Sequence, residues 1–583
     1  MKIVRIKVKN YRNIEGVEVV FNPDCNFIIG ENNLGKSNFL KLLTTVFNAK
    51  GFEEKDYCDQ DAPIEVEIDI RLSTEEQGFF GDNFSPEDSS LLKLRYYQSI
   101  QEAYPSIVSA DTNESIPLRQ MRKVNFLKYE TTASPNKELR LDTQKGTGLL
   151  LSAIIEQYND GETPSVLNDQ EISSLAEFIN TYLCKIQSFR DYSIKATIAQ
   201  KPTEMLTRLF YLSDGERKID ATGSGVQYMA MASISILSQI MELYKSKSVP
   251  FADLIYTNTD GKKEIPLILA IDEPEVHLHP YLQRSLVDYY KRILSNKDKE
   301  FLELLKMCFG IDGISGQLII VTHSTDILTG DYRNIIRFYK KGVNTEAVSG
   351  YDLRPIGGRS KKGRVKQDVE KHLIMHFPEI REAFYSKCVI LIEGETEYGC
   401  IHAFAEKCGV SLNDNGICVI NARGQGTINP LRQLLNLFEV ASIAIYDGDV
   451  KNGQTASDTE FFTNELCFEI EIVKTLYAAK KTDLIRKIAI ERDNSATKHI
   501  LDTNFVRSHF EKMNIDLTGY TPKKLDEVCD DDEKEFCELF SAWFMAKKGV
   551  LLGRVVGNEL MAEDIPPCYK AAITKAQEVA TNA

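Results

Sequence analysis

The sequence predicts an α/β protein of at least two domains, and three observations predict it. A phosphate-loop pattern, GENNLGKS, occupies Gly30–Ser37 directly after the apolar run Phe27–Ile29. Two further apolar runs, in LILAIDEPEVHLHP (Leu267–Pro280) and QLIIVTHS (Gln317–Ser324), end in acids and in a histidine. Buried parallel strands deliver polar groups to their carboxyl edge in this way. A separate acid-rich set, LIEGETE ending at Glu397 and YDGD ending at Asp449, lies beyond the basic, glycine-containing stretch RPIGGRSKKGRVK, Arg354–Lys366, which reads as a linker.

The 583 residues exceed what one core serves, and about 150 residues per domain leaves room for two to four. With 43% hydrophobic and 27% charged residues the chain is expected to fold rather than to remain disordered. MKIVRIKVKN alternates apolar and basic residues like a strand and lacks the apolar core of a signal peptide. The least charged stretch, Gly225–Tyr244, is broken by Gln227, Ser233, Ser235, Ser238 and Gln239, which suits a buried helix and not a bilayer span. None of the 12 cysteines forms a Cys-x-x-Cys pair, so neither a zinc ribbon nor a disulfide framework is indicated. A cytosolic protein with no membrane partner is expected. The net charge of −15 confines any nucleic-acid site to a local patch.

In the first motif the leucines and phenylalanines of Asn38–Phe47 recur at helical spacing, giving strand, loop and helix in the order a phosphate loop requires. Gly30 and Gly35 allow the backbone to turn around Asn32 and Asn33 so that N–H groups face inward. Lys36 reaches the outer phosphates of ATP, and the Ser37 hydroxyl can ligate Mg²⁺. Asp272 is placed to hold that Mg²⁺, Glu273 to polarise the attacking water, and His323 to sense a γ-phosphate. Between these motifs ATGSGVQ, with Gly223, Ser224, Gly225 and Gln227, leads into the helical pattern YMAMASISILSQIMELY, whose N-terminal dipole can face an anion. Ser213–Gly215 in LSDGER is the alternative.

This set, with VKNYRNIEGVEVVF before the loop, resembles the ATP-binding-cassette ATPases of chromosome maintenance and recombination over roughly 1–341. The resemblance implies an ABC-type ATPase head spanning 1–345 that forms a homodimer, Lys36 of one copy meeting Ser224 of the other. It also implies a helical dimerisation insertion within about 150–205, for example around Glu171–Phe189. No heptad run is sustained, which argues against a long coiled-coil ring.

In the second half, KCVILIEGETEYGCIHAF reads as strand, turn and helix, with Glu393 at the strand end and Glu397 one helical turn inside. In SIAIYDGD, Asp447 and Asp449 stand two apart and would share one side of an extended backbone. Such carboxylates repel unless a cation neutralises them, which suits Mg²⁺ or Mn²⁺. Together with NARGQGTI, Asn421–Ile428, the set looks like a toprim fold, expected over 381–583 with helical C-terminal additions after a linker at 346–380.

An ATPase head followed by toprim resembles the OLD (overcoming lysogenization defect) nucleases, including those of Gabija-like and retron-associated defence. The resemblance implies a metal-dependent DNA endonuclease under nucleotide control. Glu393, Glu397, Asp447, Asp449 and Glu469 would be its metal ligands and Lys548 would stabilise the phosphate charge, with Glu471 and Lys547 as competitors for the last two roles. It allows assemblies beyond a dimer, and a helicase or reverse transcriptase as partner. A nucleotide-switched DNA-binding ATPase with a non-catalytic toprim, or an RNA-cleaving toprim nuclease, are the alternatives. His372 and His376 lack a third ligand for zinc, and Asp530–Glu533 reads as a solvated acidic stretch.

Overall fold

The computed structural model describes residues 1–583 except 82, 131–138, 142–145, 159–168, 187–193, 199–209, 214–216, 247–248, 277, 354–373, 375–376, 379, 451–456, 511–520 and 583. Two compact units result, Met1–Leu353 and Arg354–Ala583. The basic stretch 354–366, His372, His376 and residues 214–216 of LSDGER lie outside the described residues.

The first unit is built on a sheet whose central strands, Lys263–Asp272, Gly313–Val321, Cys25–Ile29 and Ile335–Lys341, run parallel in that order. Cys25–Ile29 is buried at every position and the other two motif strands nearly so, the pattern of parallel strands covered on both faces. The register sets Asp272 beside Val321 and Val321 beside Ile28, so the loops that follow all three strands open at one edge. That edge is where an open α/β sheet gathers its ligands. Phe126–Glu130 adds a further parallel strand beside Lys263–Asp272. It lies within Tyr104–Gln200, where sequence motifs are sparse.

A five-stranded sheet, ordered Glu18–Val20, Lys2–Lys9, Ile64–Arg71, Leu91–Gln98 and Ser106–Ser109, is antiparallel, and strict in–out alternation in Ile64–Arg71 and Leu91–Gln98 marks its single buried face. Ile6, Ile68 and Leu94 of this face share a core with Phe39 and Leu43 of the helix Lys36–Phe47, which fixes the helix that begins in the phosphate loop. Helices Gly146–Tyr158 and Asp169–Leu183 fall in the region expected to hold an insertion; the latter ends before Phe189, which is not described. Among the described residues no helix is long and apolar enough to cross a membrane.

The second unit has four parallel strands in the order Ile417–Asn421, Cys388–Ile392, Ala441–Tyr446 and Glu460–Phe462. Helices Glu395–Lys407, Phe468–Ala478, Glu533–Ala546, Val550–Glu559 and Pro567–Asn582 contribute to one core with it. Helices Glu395–Lys407 and Val550–Glu559 approach so closely that a Cβ on Gly553 would stand 1.8 Å from the Thr396 carbonyl oxygen, and one on Gly399 2.4 Å from that of Val550. Backbone cannot retreat as a side-chain tip can. Gly553→Ala is therefore expected to destabilise the protein by about 3 kcal/mol, read as a lower denaturation midpoint with unchanged slope.

The fold is thus mixed α/β in both units: a largely parallel sheet beside an antiparallel one in the first, and a four-stranded parallel sheet followed by added C-terminal helices in the second.

Candidate functional site

The phosphate loop is shaped by two glycines that admit no side chain. Gly30 has φ +139° and a Cβ there would lie 2.3 Å from the Phe338 carbonyl oxygen; Gly35 has φ +86° and a Cβ would meet Ile14 Cγ2 at 2.4 Å. Asn33 also takes the left-handed region at φ +64°, and its carbonyl accepts from Asn13 Nδ2 at 2.9 Å, while Asn32 is exposed. Lys36 is buried and donates to the carbonyls of Gly30 and Glu31 at 2.8 and 2.6 Å. Burial pulls its ammonium down to about 8 against the opposing pull of Glu273, Asp272, Glu31 and Glu275. A bound phosphate would offer this cation anionic acceptors in place of the neutral loop carbonyls.

Ser37 Oγ lies 3.4 Å from Asp272 Oδ1, and Lys128 Nζ stands 3.7 Å from Asp272 Oδ2, bringing the expected Mg²⁺ ligands of ATP together. Glu273 adopts φ +50° and faces His323 Nε2 at 3.8 Å. Burial and the Lys36 charge lower the His323 pKa, so its ring is neutral at pH 7. Glu275, which the sequence does not single out, accepts from Thr322 Oγ1 at 2.8 Å and from the His323 N–H at 2.6 Å, and thereby fixes the turn that presents the imidazole.

In ATGSGVQ the helix begins at Ser224, ahead of the helical pattern read from Tyr228, with Gly223 as its N-cap. Gly225 and Gln227 fall in its first turn. The Gln227 amide turns back to the carbonyls of Asp220 and Thr222 at 3.1 and 3.0 Å. The space around Gly223 is open.

The acidic residues of the second unit converge from four elements. Glu393 follows strand Cys388–Ile392, and Glu397 lies in the first turn of Glu395–Lys407 rather than a turn further in. Asp447 follows Ala441–Tyr446, and Glu469 is on Phe468–Ala478. The extended-backbone relation expected for Asp447 and Asp449 does not hold: the strand stops at Tyr446 and Gly448–Val450 forms a 3₁₀ turn. A Cβ on Gly448 would be 2.3 Å from the Glu465 carbonyl oxygen, so only glycine permits this turn. Asp449 is exposed, whereas Asp447 Oδ1 is sealed from solvent without a hydrogen-bond partner.

Their electrostatics follow from that crowding. Asp447 is pushed up to about 9 by burial and then by Glu397, Glu393, Glu469 and Asp449. Glu397 rises to about 7 through burial and then Glu469 and Glu393. Glu393 is also raised by burial and by Asp449, against the Asp447 N–H at 3.5 Å, the Gln425 N–H and the Lys548 charge.

The two paired alternatives differ in surroundings. Lys547 donates to Asp493 Oδ2 at 2.9 Å, while exposed Lys548 lies in the field of Glu393. Glu469 and Glu471 are both buried; Glu471 accepts from Asn464 Nδ2 at 3.1 Å and the Glu465 N–H at 2.8 Å, whereas Glu469 accepts from Thr396 Oγ1 at 2.7 Å. Thr396 is a residue that sequence reasoning passed over inside LIEGETE. Asp530 and Asp532 serve structure, the first bound to Arg486 and Thr482, the second capping Glu533–Ala546.

Among the described residues no three His, Cys, Asp or Glu side chains form a ready-made cage for an ion. The donors nonetheless fit a hard divalent cation: they are carboxylates, they raise one another, and Asp447 Oδ1 is an orphaned buried oxygen.

Fold and site together define a phosphate-loop ATPase that carries a second, toprim-type acidic centre. An AAA ATPase domain model matches residues 1–145 and 138–328, and a model of the overcoming lysogenization defect protein-like toprim domain matches 384–449. The chain belongs to the AAA ATPase domain family, and its toprim domain is of the OLD-like type. The Old nuclease of Escherichia phage P2 is 23% identical over 508 residues, covering 77% of each chain. The endonuclease GajA of Bacillus cereus is 28% identical over 529 residues, covering 77% of this chain and 75% of its own. A solved C-terminal region of the Xanthomonas campestris pv. campestris OLD protein covers 34% of this chain and 98% of its own, at 17% identity and a TM-score of 0.24.

Proposed function

We propose that the protein is a divalent-metal-dependent DNA endonuclease whose cleavage is governed by nucleotide in its ATPase head. The observation that carries this is the acid cluster around the unpartnered Asp447 Oδ1, with Lys548 as the nearby cation. Glu393, Glu397, Asp447, Asp449 and Glu469 would hold Mg²⁺ or Mn²⁺. A divalent ion bound there supplies an activated water and neutralises the leaving oxygen. Glu393 accepts from the Asp447 and Gln425 N–H groups, which orient its carboxylate. Exposed Lys548 can reach a phosphodiester oxygen and stabilise the charge that grows on it. The matched relatives, named a nuclease and an endonuclease, support the same chemistry.

In the head, Gly30–Ser37 with Asp272 would bind Mg²⁺-ATP, Glu273 would orient water, and His323 would sense the γ-phosphate. The open N-terminus of helix Ser224–Lys245 would complete the site of a second copy, making a homodimer the smallest active assembly. A cytosolic anti-phage role is the biological setting that fits a nuclease of this type.

Supercoiled plasmid incubated with Mg²⁺ or Mn²⁺ is expected to be nicked or linearised and to be protected by EDTA. Asp447→Ala should abolish cleavage; nicking by that variant at the wild-type rate would remove the acid centre from the mechanism. Structured RNA cut in preference to plasmid would make the nuclease an RNA-processing one.

A further inference from the structure

The Thr396 hydroxyl joins two partners across the fold. It is buried, donates its one proton to Glu469 Oε1 at 2.7 Å, and accepts the Gly549 N–H at 2.9 Å. Gly549 directly follows Lys548, has φ +127° and caps helix Val550–Glu559. One side chain therefore ties an acid on helix Phe468–Ala478 to the turn that presents the lysine. The polarity is fixed, N–H to hydroxyl to carboxylate, because a hydroxyl has one proton to give. The Thr396 carbonyl is gripped at the same time by the close approach of Gly553, so residue 396 cannot drift relative to the second helix. Linked polar bonds in a buried setting reinforce one another, and removing the middle member strands both ends.

We infer that Thr396 is a positioning residue that locks the turn carrying Lys548 to the orientation of the Glu469 carboxylate. A change at Glu469, as when a cation occupies the acid centre, is thereby passed to the turn that carries the lysine through two hydrogen bonds and the Thr396 side chain alone. The inference deepens the nuclease reading and rests on it only for its catalytic consequence.

The test uses the full chain and two kinds of readout. Thr396→Val keeps the shape and removes both bonds; Thr396→Ser keeps both bonds and removes the methyl. Hydrogen exchange of the peptide spanning 547–552 is expected to accelerate at least about tenfold for one amide in Thr396→Val, with Thr396→Ser restoring most of the protection. Plasmid cleavage is expected to lose at least about thirtyfold in kcat for Thr396→Val, with KM for DNA within about threefold, because the lysine acts on developing charge. In a Lys548→Ala background the same substitution should cost less than about threefold further, since both lesions remove one contribution. If Thr396→Val unfolds, Thr396→Ala carries the same comparison, with melting temperature recorded beside it.

Equal exchange of that peptide in wild type and Thr396→Val overturns the linkage, whether or not the wild-type protein cuts DNA. Penalties of Thr396→Val and Lys548→Ala that multiply in full overturn the action through lysine. Failure of the wild type to cut any polynucleotide counts against the nuclease reading, while the exchange result still decides the linkage.

Discussion

Asp447→Asn is expected to abolish metal-dependent cleavage, by about 10³-fold or more, while making the metal-free protein more stable at pH 8. The opposite signs have one cause. In the folded state burial and the surrounding acids push the Asp447 carboxyl up to about 9, from an ordinary value of 3.8. Between those limits the folded chain holds a proton that the unfolded chain releases, so the folded state binds more protons and its stability falls as pH rises. Below about pH 4 both states are protonated and the penalty is absent; above about pH 9 it is complete. Asparagine cannot ionise and escapes it. A gain of about 1–3 kcal/mol, or roughly 2–12 °C in melting temperature, is expected at pH 8 and next to none at pH 4. Mg²⁺ or Mn²⁺ should reverse the order by stabilising wild type through binding to the folded state, with little effect on the variant. Thermal scans across pH with and without metal test this; a difference that does not change with pH would mean that Asp447 is not the strained acid of the centre.

The sequence legibly marks the carboxyl ends of the strands and much less clearly the junctions between elements. Asp272 and His323 in the first unit, and Glu393 and Asp447 in the second, are legible because each closes an apolar run of strand length, and within each unit a parallel sheet with aligned register brings such ends to its own edge. The extended relation expected of Asp447 and Asp449 fails because a two-residue alternation presumes an extended chain, and the 3₁₀ turn at Gly448–Val450 depends on a close approach to Glu465, seventeen residues beyond Gly448. Strand Phe126–Glu130 is not legible in the sequence because five residues without flanking motifs carry no periodic signature. Glu469 and Glu471 could not be told apart in sequence: both lie in one apolar helix and both are buried, and only tertiary partners give them different surroundings. The same holds for Lys547 and Lys548, which adjoin a helix end: Lys547 bonds Asp493, while the charge of Lys548 acts on Glu393. Thr396 and Glu275 act by holding a neighbour, and a hydrogen bond across the fold leaves no trace in local spacing.

Glu273→Gln is expected to bind ATP as tightly as wild type and to hydrolyse it at least about 100-fold more slowly, the range for losing a general base. The substitution is nearly isosteric, so the φ +50° backbone and its N–H bond to the Val321 carbonyl at 2.9 Å are retained. What is lost is the carboxylate that faces the neutral His323 ring at 3.8 Å, the group able to take a proton from water. Lys36→Ala should behave differently, because removing the buried ammonium from between the loop carbonyls and the Asp272–Glu273 acids weakens nucleotide binding itself. Fluorescent-nucleotide titration and phosphate release separate the two. If the first turn of Ser224–Lys245 completes the site of a second copy, stalled hydrolysis also accumulates dimer, since the ATP-bound state favours closure and nothing discharges it. Sedimentation of Glu273→Gln with ATP should show that shift and Lys36→Ala should not; an ATP-saturated Glu273→Gln that remains monomeric would mean that Gly223–Gln227 does not meet the phosphate loop of another chain.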